Sequence, residues 1–265
     1  MSNSKRPQSP GGSERKRTPR GQQVIIAVIA LVCVGAVIAL GAFRSGGDDP
    51  DPESASTPGP TQSADPSADA QPSALDCSKP PPKPAKPQQF SKVPPKSLAE
   101  GSRWDATVTT NCGDITLELY GDKAPQTVAS FIFLAKHGYW DDSPCHRLTT
   151  PQQGLSVLQC GDPTGSGSGN PGYGYGIENA PADGSYPTGT LAMARAPGEP
   201  NSNGGQFFVV YGDTKLPTKG GGYSIFGKIT GGMDIVQAIA AKGLASNGTA
   251  PKQPISIMQV AVQKQ

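Results

Sequence analysis

From Arg103 onward the chain sets short apolar runs between glycine- and proline-rich breaks, and most runs have the two-residue period of strands. ATVTTNCGDITLELY, beginning at Ala106, alternates on both sides of an Asn-Cys-Gly-Asp turn and predicts a β-hairpin. CHRLTT and LSVLQC predict two strands around a turn; GTLAMARA, GQFFVVYG, GYSIFGKI and ISIMQVAVQ predict four more. Two segments follow the helical period instead. APQTVASFIFLAKHGYW has Pro125 near its start, Val128, Phe131, Leu134 and Ala135 at helical spacing, and Gly138 as a stop. GGMDIVQAIAAKG is the second amphipathic helix. Helices near 124–137 and 232–241 among seven or eight strands predict a mainly-β domain, a barrel. GSGSGNPGYGYG fits neither period and is expected to be a mobile loop.

Before residue 103 the pattern is different. Residues 24–43, VIIAVIALVCVGAVIALGAF, carry no charge, and about 20 such residues cross a bilayer core as a helix. Lys5, Arg6, Arg15, Lys16, Arg17 and Arg20 precede them; Asp48, Asp49, Asp51 and Glu53 follow. The positive-inside bias therefore predicts a cytoplasmic N-terminus and an extracytoplasmic remainder. A cleaved signal peptide is the alternative, but its apolar region would be shorter. The stretch up to 101 is rich in Pro, Ser, Ala and Asp, then in Pro and Lys (KPPPKPAKPQQFSKVPPK). Such a composition predicts a disordered, semi-stiff stalk. The expected organisation is a basic N-terminus over 1–22, a transmembrane helix over 23–43, a disordered linker over 44–101 and one domain over 102–265.

Charge and cysteines narrow the chemistry. From Arg103 on there are 11 Lys and Arg against 12 Asp and Glu, so the domain is nearly neutral and nucleic acid is not expected as a partner. Cys33 lies in the apolar run; Cys77, Cys112, Cys145 and Cys160 fall where disulfides persist. Four cysteines allow three pairings, and sequence does not choose among them. Cys145–Cys160 would staple the CHRLTT and LSVLQC runs and leave Cys77–Cys112. With no CxxC and only His137 and His146, no metal site is expected.

Several motifs fail on inspection. Gly222 to Lys228 fits GxxxxGK, but Ile229 stands where a phosphate loop needs Ser or Thr. Asp141 and Asp142 are adjacent in a polar turn, and Ser143 near His146 lacks the G-x-S-x-G elbow of a hydrolase. Asn247-Gly-Thr249 is a glycosylation sequon by pattern only. What remains is a set of polar residues on apolar strands: Arg147, Gln159, Arg195 and Gln206, beside Phe207 and Phe208. Any one alone would read as an edge-strand residue with its head group in water. Together they suggest a site, because 147 and 159 become neighbours if their strands pair, and Gln206 precedes an aromatic pair able to wall a pocket.

CHRL (145–148), VLQCGDPTGSG (157–167), GTLAMARA (189–196), NSNGGQFFVVYGD (201–213) and YSIFGKITGGMDIV (223–236) occur together and in order. On these motifs the stretch from about Asp105 to Val262 resembles the cyclophilins, the cyclosporin-type peptidyl-prolyl isomerases. With its apolar run and linker, the chain resembles the membrane-anchored exported cyclophilins of high-GC Gram-positive bacteria. The resemblance implies an eight-stranded antiparallel barrel capped by two α-helices, acting on X–Pro bonds of exported proteins without a cofactor. By motif position Arg147 matches the family's catalytic arginine and Gln159 the glutamine that orients it and binds substrate. Phe208 matches the pocket floor, Val157 stands at a methionine position, and Gln206 is a pocket-side glutamine. Ala194, Arg195 and Ala196 match the strand edge that holds the peptide backbone.

Departures bear on activity. The loop TTPQQGLSV replaces the usual phenylalanine before Val157, so Leu155 or Ser156 must serve. Arg195 stands where many members have Asn, and Tyr223 where a histidine is common. Leu216 occupies the place of the tryptophan tied to strong cyclosporin binding, so weak binding of that drug is expected. The rival readings are a proline-peptide binding or chaperone module of the same fold with little turnover, and a spacer or docking protein.

The chemistry explains why an arginine and a glutamine suffice. The barrier to rotation, about 18–20 kcal/mol, is mainly lost amide resonance. Twisting the bond localises a lone pair on the prolyl nitrogen. A fixed cationic donor aimed at that nitrogen fits the twisted state better than the planar one, which is how a barrier falls.

Overall fold

The computed structural model describes residues 75–265. β1 (Arg103–Thr110) and β2 (Gly113–Tyr120) form a hairpin in continuous register from Arg103 opposite Tyr120 to Thr110 opposite Gly113. α1 (Pro125–Lys136) follows, with Pro at its first turn. Ala124 offers no side-chain cap; the Glu178 carboxylate serves instead, accepting from the amides of Gln126 (3.0 Å) and Thr127 (2.8 Å). A carboxylate at that end also meets the positive pole of the helix. The helix stops where Gly138 takes φ +62°, a left-handed geometry that side chains resist.

The strands that follow are short: β3 (Ser143–Pro144), β4 (Arg147–Leu148), β5 (Val157–Cys160), β6 (Ser185–Tyr186), β7 (Thr190–Met193), β8 (Phe207–Val210), β9 (Thr214–Lys215) and β10 (Ile225–Gly231). α2 (Met233–Ala241) and β11 (Ser256–Lys264) complete the order. The main sheet runs β3-β11-β1-β2-β10-β7-β8-β5-β4, with antiparallel neighbours throughout. Its edge strands β3 and β4 are separated in sequence only by Cys145 and His146, so the sheet must curl until its edges meet.

The eight strands expected are thus nine in the curled sheet, plus a β6–β9 ribbon. CHRLTT does not form one strand, because the chain crosses from one sheet edge to the other within it. The ribbon strands are two residues each, too short to leave a periodic signal.

Alternation along the strands builds two apolar layers. Leu158, Cys160, Leu191, Met193, Phe207 and Val209 face the main core with α1 residues Val128, Phe131, Ile132 and Leu134. Val157, Ala192, Phe208 and Val210 face the other way and gather Tyr186 and Leu216 into a second, smaller cluster. Each Val, Leu, Ile, Phe or Met among them is worth about 1.5–3 kcal/mol when fully buried. Trp140 anchors the main core and donates from its indole to the Gly205 carbonyl at 2.9 Å.

The linker expected to be disordered through 101 is ordered from Leu75 on. Cys77 is disulfide-bonded to Cys112, and the Ser78 amide donates to the Asn111 carbonyl at 2.8 Å. Phe90 packs on Phe133 and His137 with ring centroids 4.9 and 5.4 Å apart. The indole of Trp104 donates to the Ala99 carbonyl at 3.0 Å. Composition predicts that this stretch builds no core of its own; it instead adds Leu75, Phe90 and Leu98 to the domain's. Among the described residues no helix is long and apolar enough to cross a membrane, and the span expected over 23–43 lies outside them.

Candidate active site

Register, more than any one contact, assembles the site. Arg147 on β4 is paired with Gln159 on β5, Gln159 with Phe208 on β8, Phe208 with Ala192 on β7, and Ala192 with Ile225 on β10. Residues paired across a sheet point to one face. A single row therefore carries a cation, an amide and an apolar floor over five strands. The Arg147 guanidinium donates from Nη1 to Gln159 Oε1 at 3.1 Å. Gln159 donates from Nε2 to Gln206 Oε1 at 2.9 Å, and Gln206 donates from Nε2 to the carbonyls of Gly169 (2.8 Å) and Gly167 (3.1 Å). The chain of donors fixes which way each amide points.

Beside this row lies the apolar seat. Phe208 is only 4 % exposed, so it forms a floor, and Val157 and Leu216 are buried around it. Tyr223 stands edge-on to Phe208, with centroids 5.7 Å apart, and Leu155 packs on the same cluster. Between the two candidates from the altered loop the structure distinguishes: Leu155 joins the pocket, whereas Ser156 is buried behind it with its amide on Thr214 Oγ1 (3.1 Å). The loop is itself ordered, since Pro151–Gln153 forms a helical turn whose Gln153 side chain accepts from the Thr150 amide at 3.0 Å.

A cleft of about 440 Å³ adjoins the seat, between residues 167–170, 194–197 and 204–206, and shares Gln159 with the row and its partner Gln206. Ala194, Arg195 and Ala196 line it, but not as three equivalent backbone sites. The Ala194 amide already donates to the Gln206 carbonyl (3.0 Å) and the Ala196 amide to Ser202 Oγ (2.8 Å). That leaves Arg195 as the backbone position open to a peptide. Its side chain donates from Nε to the Gly222 carbonyl at 2.7 Å and lies over Tyr223, 5.0 Å from the ring centroid.

Two functional contributors escaped the sequence reading. Tyr186 braces Tyr223 from behind: its hydroxyl donates to the Tyr223 carbonyl (3.0 Å) and accepts from the Tyr223 amide (2.9 Å). It was a lone aromatic in a glycine-proline stretch and gave no signal. Asp162 was legible in part, as an Asp-x-Thr turn followed by glycines. Its carboxylate accepts from the amides of Thr164 (2.8 Å), Gly167 (2.7 Å) and Gly169 (3.0 Å) and from the Thr164 hydroxyl (2.7 Å). Position 169 must be glycine, because a Cβ there would occupy the space of that carboxylate. GSGSGNPGYGYG is accordingly a clasped loop, not the mobile one expected.

The electrostatics follow. Burial works to raise the Asp162 pKa, but the Thr164 hydroxyl and the amides of Gly169, Thr164 and Gly167 together hold it below the usual carboxylate range. His146 shifts down from the ordinary imidazole value, first through burial and then through Arg147, with Asp162 opposing. The disulfide Cys145–Cys160 ties the residue two before Arg147 to the residue after Gln159. Among the described residues no cluster of three His, Cys, Asp or Glu side chains is placed to hold a metal ion.

Curled sheet, cation, apolar seat and open strand edge thus lie together along one groove. Residues 106–262 match the family described as cyclophilin type peptidyl-prolyl cis-trans isomerase/CLD. The chain belongs to that family. It is 41% identical over 180 residues to a probable peptidyl-prolyl cis-trans isomerase B of Mycobacterium tuberculosis, covering 63% of this chain and 54% of that protein. Its counterpart in Mycobacterium leprae is 42% identical over 178 residues, covering 63% and 57%. The chain thus spans little more than half the length of these relatives. A crystal structure of a Cryptosporidium parvum cyclophilin-type isomerase aligns with TM-score 0.53 and 28% identity, covering 62% of this chain and 99% of that one.

Proposed function

We propose that the chain is a peptidyl-prolyl cis-trans isomerase of proline-containing polypeptides, held at the outer face of a membrane by residues 23–43, with its N-terminus cytoplasmic and exported proteins as substrates. The observation that carries the activity is the row in which Arg147, Gln159 and Phe208 stand side by side. The pyrrolidine ring sits on Phe208 between Val157, Leu155 and Leu216. The guanidinium, steadied by Gln159, donates to the prolyl nitrogen as the bond twists. No bond breaks and no proton is exchanged with the enzyme. A related parasite enzyme was crystallised in the presence of the dipeptide Ala-Pro, which supports the same ligand class here. Two disulfides suit an oxidising compartment outside the cytoplasm.

The test is exchange of an Xaa-Pro peptide by the full chain beside Arg147→Ala. The substitution is expected to lower kcat/KM by roughly 10²–10³, as loss of a transition-state donor does. Equal rates would sink the mechanism, and no acceleration by folded wild type would leave a binding module. Cyclosporin in the same assay is expected to inhibit weakly, because Leu216 offers no indole N–H.

A further inference from the structure

The loop that walls the cleft is held from three sides. Asp162 clasps Gly167 and Gly169 from within, and Gln206 reaches the same two residues from the groove. The third hold comes from outside the barrel, from the strap 75–101. Lys83 donates from Nζ to the Thr164 carbonyl (2.7 Å), Gln89 from Nε2 to the Asn170 carbonyl (2.8 Å), and the Phe90 amide to the Pro171 carbonyl (2.7 Å). These contacts bracket 167–170, the stretch that faces the cleft.

Taking the chain as an isomerase, as proposed above, we infer that the strap is a positioning element for peptide binding, acting through Lys83, Gln89 and Phe90 on the loop 164–171. A strap that merely covered the core would need Phe90 and the disulfide, not three donors spent on one loop. The loop has reason to need them. Glycine-rich backbone loses the most conformational freedom on ordering, so a peptide that had to order the loop on binding would bind less tightly. The strap is fixed at one end by Cys77–Cys112 and at the other where Gln126 donates to the Pro94 carbonyl (2.8 Å), so it presents the three donors already ordered. The cleft accepts residues flanking the X–Pro pair. The strap therefore sets affinity for extended polypeptide, and none of its three donors bonds Arg147, Gln159 or Phe208 directly.

Lys83 and Gln89 are exposed, so replacing them leaves the core intact. The experiment compares the full chain with Lys83→Ala, Gln89→Ala, the double variant and Lys83→Arg. Each is assayed on a blocked Ala-Pro dipeptide and on a proline peptide extended by several residues on both sides. The double variant is expected to raise KM for the extended peptide roughly fivefold or more, the scale of one or two net hydrogen bonds. Its kcat, and all constants for the dipeptide, stay within about twofold. Lys83→Arg keeps the donor and restores the extended-peptide KM. Equal losses on both peptides would show that the strap acts only through overall stability; no loss on either would remove it from the groove. Affinity for the extended peptide, titrated in the same samples, reads the strap even where wild type turns over neither peptide.

Discussion

Arg147 and Gln159 face each other across β4 and β5, joined at 3.1 Å between Nη1 and Oε1. The pairing gives the glutamine a task that is geometric and not acid–base. Because Gln206 takes the other end of the Gln159 amide, the oxygen is left pointing at the guanidinium. Asn and Gln orientation is decided by such partners.

Gln159→Leu removes that restraint while leaving the cation. kcat/KM is expected to fall by about tenfold, about 1.4 kcal/mol of transition-state stabilisation. Gln206→Leu, one step further from the cation, should cost less. Peptide exchange rates for both variants check the order, and a larger loss from Gln206→Leu would contradict it.

Asp162→Asn tests the clasp. An amide cannot accept from Thr164, Gly167 and Gly169 together, so at least one of these half-exposed amides loses its partner, at about 0.5–1.5 kcal/mol for the lost hydrogen bond. Urea unfolding should show the loss. The pH dependence has a definite sign. A carboxylate whose native pKa lies below its unfolded value stabilises fully above the unfolded value, about 3.9, and loses that contribution as pH falls through the native one. The acid limb of the stability curve should therefore be shallower in Asp162→Asn than in wild type.

His146 predicts a second limb at milder pH. Both ring nitrogens are shielded from solvent without a hydrogen-bond partner, and burial, then Arg147, favour the neutral ring. The unfolded chain then binds the proton more readily than the native one. Stability is flat above the unfolded imidazole pKa, about 6.5, and declines as pH falls from there to the lower native value. In His146→Phe the slope in that window should vanish. If thermal unfolding keeps the same slope between pH 7 and 5, another group is responsible.

Much of this was legible before any coordinates. The hairpin and both helices follow from periods of 2 and 3.6, and the periodic residues Val128, Phe131, Leu134 and Ala135 are all buried. What escaped was set by partners distant in sequence. Nothing local to KPPPKPAKPQQFSKVPPK reveals that Phe90 has a seat on α1, or that Lys83 and Gln89 find carbonyls 81 residues on. The glycine loop reads as mobile because its order comes from Asp162 at its head and from Gln206 and the strap, which are distant in sequence. The row from Arg147 to Ile225 needed strand order, which period alone does not supply.

Arg195 bears on which peptides the groove prefers. Its guanidinium spans the Gly222 carbonyl and the Tyr223 face, and among the described residues it has no carboxylate within salt-bridge reach. With Arg147 also bordering the seat, the groove carries two cations, and among the described residues neither forms a salt bridge. Peptides with Glu or Asp next to the X–Pro pair should have lower KM than their Lys counterparts, and the gap should narrow with added salt, since such charges are screened within about 8–10 Å. Arg195→Asn should shrink the Glu-over-Lys preference severalfold, with smaller change on a neutral peptide. It also removes the stack on Tyr223, worth about 0.5–1 kcal/mol, so a modest uniform loss accompanies the selective one. A Glu-over-Lys ratio unchanged by the substitution would mean that Arg195 serves Tyr223 alone.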